Sequence, residues 1–212
     1  MQKNVFVFIG PPGSGKGSIS KLCVQKFKWA QLSTGNLCRL HIVNQTEIGK
    51  EIAFAIKSGN LISDSLITGM VEQWLTEKIE GVNALILDGY PRAVPQAKAF
   101  HDIIAARFPW IRLNVVKFTA PQDQIVCRLS SRLVCRNGDC QAVYSQLEGA
   151  LQPKQAMQCD DCSGPLGQRD DDRVEAIRER LSIYYRHEND LVNFYHSVGH
   201  PVVELNAFAP LE

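Results

Sequence analysis

The sequence predicts an α/β fold with a doubly wound parallel sheet, and three observations carry the prediction. Short, continuously apolar runs of β-prone residues recur along the chain, as strands covered on both faces of a parallel sheet require. The stretches between them have helical length and patterning, and such alternation implies parallel strands joined by crossovers. The first apolar run leads straight into a glycine-rich loop and then a helical pattern.

Residues 5–9 (VFVFI) form the first predicted strand, broken by the loop from Gly10 to Gly17. Ile19, Leu22, Cys23 and Phe27 then line one helical face. Residues 84–87 (ALIL) form a second strand that ends at Asp88, residues 113–118 a third and residues 201–205 a fourth. Two stretches fit this core poorly. Residues 34–63 are helical and polar with a break at Gly59-Asn60, and residues 134–170 carry four clustered cysteines, several glycines and two prolines. Both read as insertions, leaving a core of residues 1–33, 64–133 and 171–212. Long insertions in such folds often cover a substrate.

The 212 residues suffice for one compact core with insertions. Hydrophobic residues make up 45% and charged residues 21%, an ordinary globular composition. A net charge of +1 argues against a broad basic surface for nucleic acid or anionic membrane, so anion binding must use locally placed charges. No apolar stretch reaches transmembrane length, and residues 5–9 are too short for a signal sequence, so a cytoplasmic location is expected. In a reducing compartment, Cys135, Cys140, Cys159 and Cys162 suggest a metal site rather than disulfides, whereas Cys23, Cys38 and Cys127 are scattered. The five histidines form no spaced ligand or nucleophile set.

Gly10-Pro11-Pro12-Gly13-Ser14-Gly15-Lys16-Gly17-Ser18 is a phosphate-binding loop (P-loop) in its strand–loop–helix context. Its glycines let backbone N–H groups turn inward, the following helix adds its positive dipole end, and Lys16 can reach terminal phosphates. The strict pattern has Ser or Thr directly after the lysine; here Gly17 intervenes before Ser18. Asp88, at the end of an apolar strand, is placed where open sheets bind ligands and can hold Mg²⁺ or its water. Arg92 can fork onto a phosphate, and Gln96 offers a donor and an acceptor. Arg128 and Arg132 lie four apart and are expected on one face of a helix beginning near Pro121. With Arg169 and Arg180 they can converge on a phosphoryl group, whose transition state spreads negative charge over several oxygens. Asp171 and Asp172 either pair with these arginines or cap the next helix. Cys135-x4-Cys140 and Cys159-x2-Cys162, 18 residues apart, suit two knuckles of a closed structural Zn²⁺ site, which would cross-link an insertion too small to hold itself rigid. Iron also suits four thiolates.

The Gly-Lys-Gly-Ser ending of the loop resembles the adenylate kinases. The resemblance extends through Leu32-Ser33-Thr34-Gly35-Asn36-Leu37-Cys38-Arg39, residues 87–96 (LDGYPRAVPQ) and Arg169-Asp170-Asp171-Asp172 with Arg180, and so covers nearly the whole chain. It implies an AMP-binding insertion at 34–63, a zinc-binding lid at 134–170 and reversible conversion of ATP and AMP into two ADP, with Mg²⁺. It implies ATP contacts from Gly13, Ser14, Gly15, Lys16, Gly17, Ser18, Arg128 and Arg132. AMP contacts are implied for Thr34, Arg39, Gly89, Arg92, Gln96, Arg169 and Arg180, and catalytic roles for Lys16, Asp88, Arg92, Arg132, Arg169 and Arg180. The chain departs from the family at Leu133, where a further arginine is common, and at Asn36, usually aspartate. Asn36 is expected either to alter Mg²⁺ handling or to cap a helix beginning near Leu37. A monomer that binds small molecules and neither nucleic acid nor membrane is expected. Rival readings are a UMP/CMP kinase, a non-catalytic nucleotide sensor and a zinc-ribbon nucleic-acid binder.

Overall fold

A computed structural model describes residues 2–58, 62–149 and 151–208; the Gly59-Asn60 break expected from sequence lies outside them. Strand β1 (Lys3–Ile9) is central. It is flanked by β3 (Ala84–Asp88) and β4 (Ile111–Thr119), with β2 (Ala30–Ser33) outside β3 and β8 (Val202–Asn206) outside β4. Every pairing is parallel. The register aligns Phe8 with Asp88 and Ser33 with Asp88. The carboxyl ends of three neighbouring strands therefore finish on one line, where an open sheet offers its ligand crevice. Val5, Val7, Leu85, Ile86 and Leu87 are fully buried, as continuous apolar runs in a doubly covered sheet require.

Helices α1 (Lys16–Phe27), α4 (Asp64–Lys78), α5 (Val94–Arg107) and α7 (Val174–Ser197) pack around this sheet. Tyr90, Phe100 and Tyr195 fill the core beside it. Between β2 and α4 stand two further helices, α2 (Thr34–Val43) and α3 (Glu47–Lys57). Cys38, Ile52 and Met70 give them a small apolar cluster of their own with α4. Ser33, Thr46 and Ser63 cap α2, α3 and α4, each side chain accepting from a backbone N–H three residues on. Helix α6 (Gln122–Ser130) leads into a separate antiparallel sheet of β5 (Arg132–Cys135), β6 (Val143–Ser145) and β7 (Leu166–Gly167), with its own apolar cluster.

One strand escaped the sequence reading and two expectations need correction. Strand β2 was not legible, because Ala30-Gln31-Leu32-Ser33 is short and half polar. Arg132 does not share a helix with Arg128: α6 stops at Ser130, where the Ser131 hydroxyl donates to the carbonyls of Cys127 and Arg128 at 2.9 and 3.3 Å. A serine bonding back to the helix offers the chain an exit, and Arg132 becomes the first residue of β5. Asn36 does not cap α2; Ser33 does, and Asn36 lies inside the first turn.

Candidate active site

The loop between β1 and α1 needs its glycines. Gly13 and Gly15 have φ of 82° and 85°, and a Cβ on Gly13 would lie 2.7 Å from Leu129 Cγ. Lys16, the first residue of α1, turns back so that Nζ donates to the carbonyls of Gly10 (2.7 Å) and Pro11 (2.9 Å), with Ser14 Oγ at 3.3 Å. Burial lowers its pKa to about 8; Asp88 opposes that shift, while Arg92, Arg180 and Arg132 add to it. Asp88 is shifted upward by burial, against the pull of Lys16, Arg92, Arg169 and Arg39. A Cβ on Gly17 would lie 3.4 Å from Asp88 Oδ2. The start of α1 thus runs close beside the Asp88 carboxylate.

The β3–α5 turn carries the second group. Gly89, at φ 81°, presents its carbonyl to two donors, Thr34 Oγ1 and Arg92 Nε, each at 2.9 Å. Gln96 is buried, its Oε1 accepting from the Arg92 backbone N–H at 2.9 Å and its Nε2 donating to Asp64 at 2.6 Å. Above Gly35 two guanidiniums meet: a Cβ there would lie 3.5 Å from both Arg39 Nη atoms and 3.8 Å from Arg92 Nη2. Arg39 donates to Asn36 Oδ1.

The third group comes from the far side of the cleft. Arg132 forks onto Asp172 through Nε and Nη2 at 2.8 and 2.6 Å. Arg180 Nη1 donates to the Asp171 carbonyl at 2.9 Å and lies 3.0 Å from the Asp171 carboxylate and 3.4 Å from that of Asp172. Of the two sequence readings for Asp171 and Asp172, pairing is the one observed; neither caps α7. Burial lowers the pKa of Arg169, helped by Arg132 and Arg39. Burial does the same to Arg39, with Arg132, Arg180 and Arg92 repelling it. These mutual fields mark one cleft shared by Lys16, Arg39, Arg92, Arg132, Arg169 and Arg180, with Asp88 and Asp171 among them. Asp88, Asp171 and Asp172 offset part of this charge; the remaining excess of cations favours an incoming anion, and the arrangement can grip a polyphosphate from several sides.

Arg128 stands apart. Its guanidinium lies 3.9 Å above the Phe208 ring and its Nη1 donates to the Gly13 carbonyl at 3.3 Å. Beside it is a shallow pocket lined by Thr119, Ala120, Pro121, Gln124, Asn206 and Phe208. Sequence reasoning missed Phe208 and Asn206. The available signal was their position at (Asn206) and just beyond (Phe208) the carboxyl end of the last strand, where open sheets collect ligands.

The four sulfurs of Cys135, Cys140, Cys159 and Cys162 lie within 4.8 Å of one another. Four thiolates bonded at about 2.3 Å to one tetrahedral ion would stand about 3.8 Å apart, so the donors fit a single soft ion. Gly164 permits the close approach, since a Cβ there would lie 3.3 Å from the sulfurs of both Cys135 and Cys162. Leu133 is 3% exposed and belongs to the apolar cluster of this small sheet. Leu133 thus serves packing within the small sheet and presents no charge to the cleft.

Asn36 faces Arg39 rather than capping a helix, and this gives an expected outcome. Asn36→Asp puts a carboxylate against Arg39 and competes for it with an incoming phosphate. KM for the substrate whose phosphate meets Arg39 should rise several-fold, because the added carboxylate both holds the guanidinium and repels the phosphate, while KM for the other substrate stays put. A shift only in Mg²⁺ dependence would assign Asn36 to the metal instead.

Among the described residues no helix is long and apolar enough to cross a membrane. The sequence model of the adenylate kinase family matches residues 8–200. Among curated proteins, the chain is 37% identical to an adenylate kinase of Methanothrix thermoacetophila, over 91% of this chain and 86% of that one. It is 34% identical to one of Streptomyces avermitilis (97% and 91%) and 35% identical to one of Archaeoglobus fulgidus (91% and 86%).

Proposed function

The chain belongs to the adenylate kinase family, and from that premise we propose that it catalyses reversible, Mg²⁺-dependent transfer of the γ-phosphoryl group of ATP to AMP, yielding two ADP. The observation that carries the residue assignments is that Lys16, Arg39 and Arg92, near the carboxyl ends of β1, β2 and β3, face Arg132, Arg169 and Arg180 closely enough to shift one another's charge. Phosphoryl transfer needs little covalent help from a protein; it needs alignment and cations where charge develops.

In this reading, ATP phosphates lie on Gly13, Ser14, Gly15, Lys16, Gly17 and Ser18, with the base beside Arg128. Lys16 exchanges its bonds to the Gly10 and Pro11 carbonyls for phosphate oxygens. AMP lies against Thr34, Arg39, Gly89, Arg92 and Gln96, its phosphate held by Arg39 and Arg92. Arg132, Arg169 and Arg180 neutralise the group in transit, and Asp171 and Asp172 fix the reach of two of them. Asp88 fits Mg²⁺ or its water shell, and the ion would supply charge neutralisation between the phosphates when bound. Residues 34–63 act as the AMP-binding part, 134–170 as a lid that excludes water, and 1–33, 64–133 and 171–212 as the core. The donor–acceptor order of the Gln96 amide suits AMP and mismatches UMP, whose N3–H donates and whose O4 accepts; family membership favours AMP over CMP. A monophosphate panel tests this, with AMP as the preferred acceptor and equal use of UMP or CMP as the contrary result. The same reading takes the protein as a cytoplasmic monomer that binds neither nucleic acid nor membrane, in keeping with its net charge of +1.

The lid thiols are assigned to one structural Zn²⁺, with Cys135, Cys140, Cys159 and Cys162 filling all four positions. Protein purified with zinc available should contain one equivalent. Chelation should speed amide exchange in residues 134–170 before it affects the parallel sheet, because the small sheet has its own local stability. Metal far below one equivalent, or simultaneous loss of both regions, would contradict the assignment.

A further inference from the structure

Gln96 is held in one orientation by partners of opposite hydrogen-bonding character. The Arg92 backbone N–H can only donate, and it meets Oε1 at 2.9 Å; the Asp64 carboxylate, when ionised, can only accept, and it meets Nε2 at 2.6 Å. A rotation of the carboxamide by half a turn would set donor against donor and acceptor against acceptor, so the chemistry of the two neighbours fixes which end is oxygen. The backbone of Gln96 is tied as well: Tyr90 Oη, fully buried, donates to its carbonyl at 3.2 Å and shares a 2.9 Å bond with Thr68 Oγ1. Asp64 itself is the first residue of α4, directly after the capping Ser63, and touches none of the phosphate-gripping arginines through a hydrogen bond among the described residues.

We propose that Asp64 is a positioning residue for base selection: it locks the Gln96 carboxamide in the orientation that reads adenine and rejects 6-oxopurines. The inference rests on the reading above in which Gln96 faces the AMP base. With one N–H used on Asp64 and one lone pair used on Arg92, Gln96 keeps one N–H and one lone pair. Adenine presents an acceptor at N1 and a donor at its 6-amino group, which that pair matches. Hypoxanthine and guanine present the reverse, a donor at N1 and an acceptor at O6, and only a flipped carboxamide would match them. An amide without a lock serves either edge, whereas an amide held by a charged acceptor discriminates, because the wrong base leaves buried polar groups unpaired. Arg92 joins the two halves of recognition: its side chain faces the phosphate and its backbone N–H holds the base-reading amide.

The test compares kcat/KM for AMP and for inosine monophosphate, with Mg·ATP, in native protein and in Asp64→Ala, Asp64→Asn and Gln96→Ala. Asp64→Ala should reduce the AMP preference about tenfold, the weight of one hydrogen bond to a charged group. The change should appear in KM for AMP and in improved use of inosine monophosphate, with KM for ATP unmoved. Asp64→Asn, which keeps one acceptor oxygen and the side-chain shape, should fall between native and alanine; it also serves if the alanine variant folds poorly. A merely structural role for Asp64 would lower activity with both monophosphates alike. An unchanged ratio in both Asp64 variants, while Gln96→Ala shifts it, overturns the lock alone. An unchanged ratio in all three variants overturns base reading by Gln96 as well.

Discussion

Arg92→Ala is expected to lower kcat/KM for AMP by about two to three orders of magnitude, with Lys16→Ala comparable for ATP. One donor aimed at developing charge in a site shielded from water is typically worth about 3–4 kcal/mol. Arg92 is well placed for such a role: its Nε is anchored on the Gly89 carbonyl, its outer nitrogens point over Gly35 beside Arg39, and Gln96 fixes its backbone. The fold should tolerate its loss, since the side chain is exposed at the floor of the cleft and its anchoring acceptor keeps Thr34 as a donor. Steady-state kinetics alongside a melting curve separates the two effects. Near-native kcat/KM in a folded Arg92→Ala protein would remove Arg92 from the AMP site.

Asp172→Ala should produce the largest loss of stability of any single change in the cleft. The Asp172 side chain has no exposure, and it accepts two bonds from Arg132 and lies 3.4 Å from Arg180. Removing one partner of a buried pair typically costs about 3–5 kcal/mol, because the other charge stays desolvated. Here Arg132 keeps 15% and Arg180 30% of their side-chain surface, so water and Asp171 offset part of it and the lower end, about 3 kcal/mol, is expected. For a chain of this length that lowers Tm by roughly 6–12 °C. Turnover should fall as well, as Arg132 and Arg180 lose the group that aims them. A melting temperature within about 2 °C of native, on the same scale, would mean that Asp172 is not the anchor of the clamp.

Much of this was legible in the sequence, for identifiable physical reasons. Strands β1 and β3 carry continuous apolar runs because both faces of the sheet are covered there, and Asp88 stands out because it ends one of them; β4 alternates, with Ile111, Leu113, Val115 and Phe118 buried. The glycines before Lys16 are visible as a pattern because left-handed backbone excludes most other residues. Strand β2 was hidden because it is four residues long and half polar. The turn after α6 was hidden because helical spacing runs on through Arg132, while the stop depends on a serine hydroxyl bonding backward. The role of Asn36 depends on a partner three residues along that spacing allows but does not require. Asp64 and Gln96 are 32 residues apart, and no local pattern announces that one holds the other.

The central claim is that the cation-lined cleft moves a phosphoryl group directly from ATP to AMP under a lid that keeps water out. The most direct test is the product balance of the purified protein with ATP, AMP and Mg²⁺. Two ADP should form for each AMP consumed, the reaction should run backward from ADP, and almost no inorganic phosphate should appear. Steady release of inorganic phosphate from ATP without consumption of AMP would contradict the account.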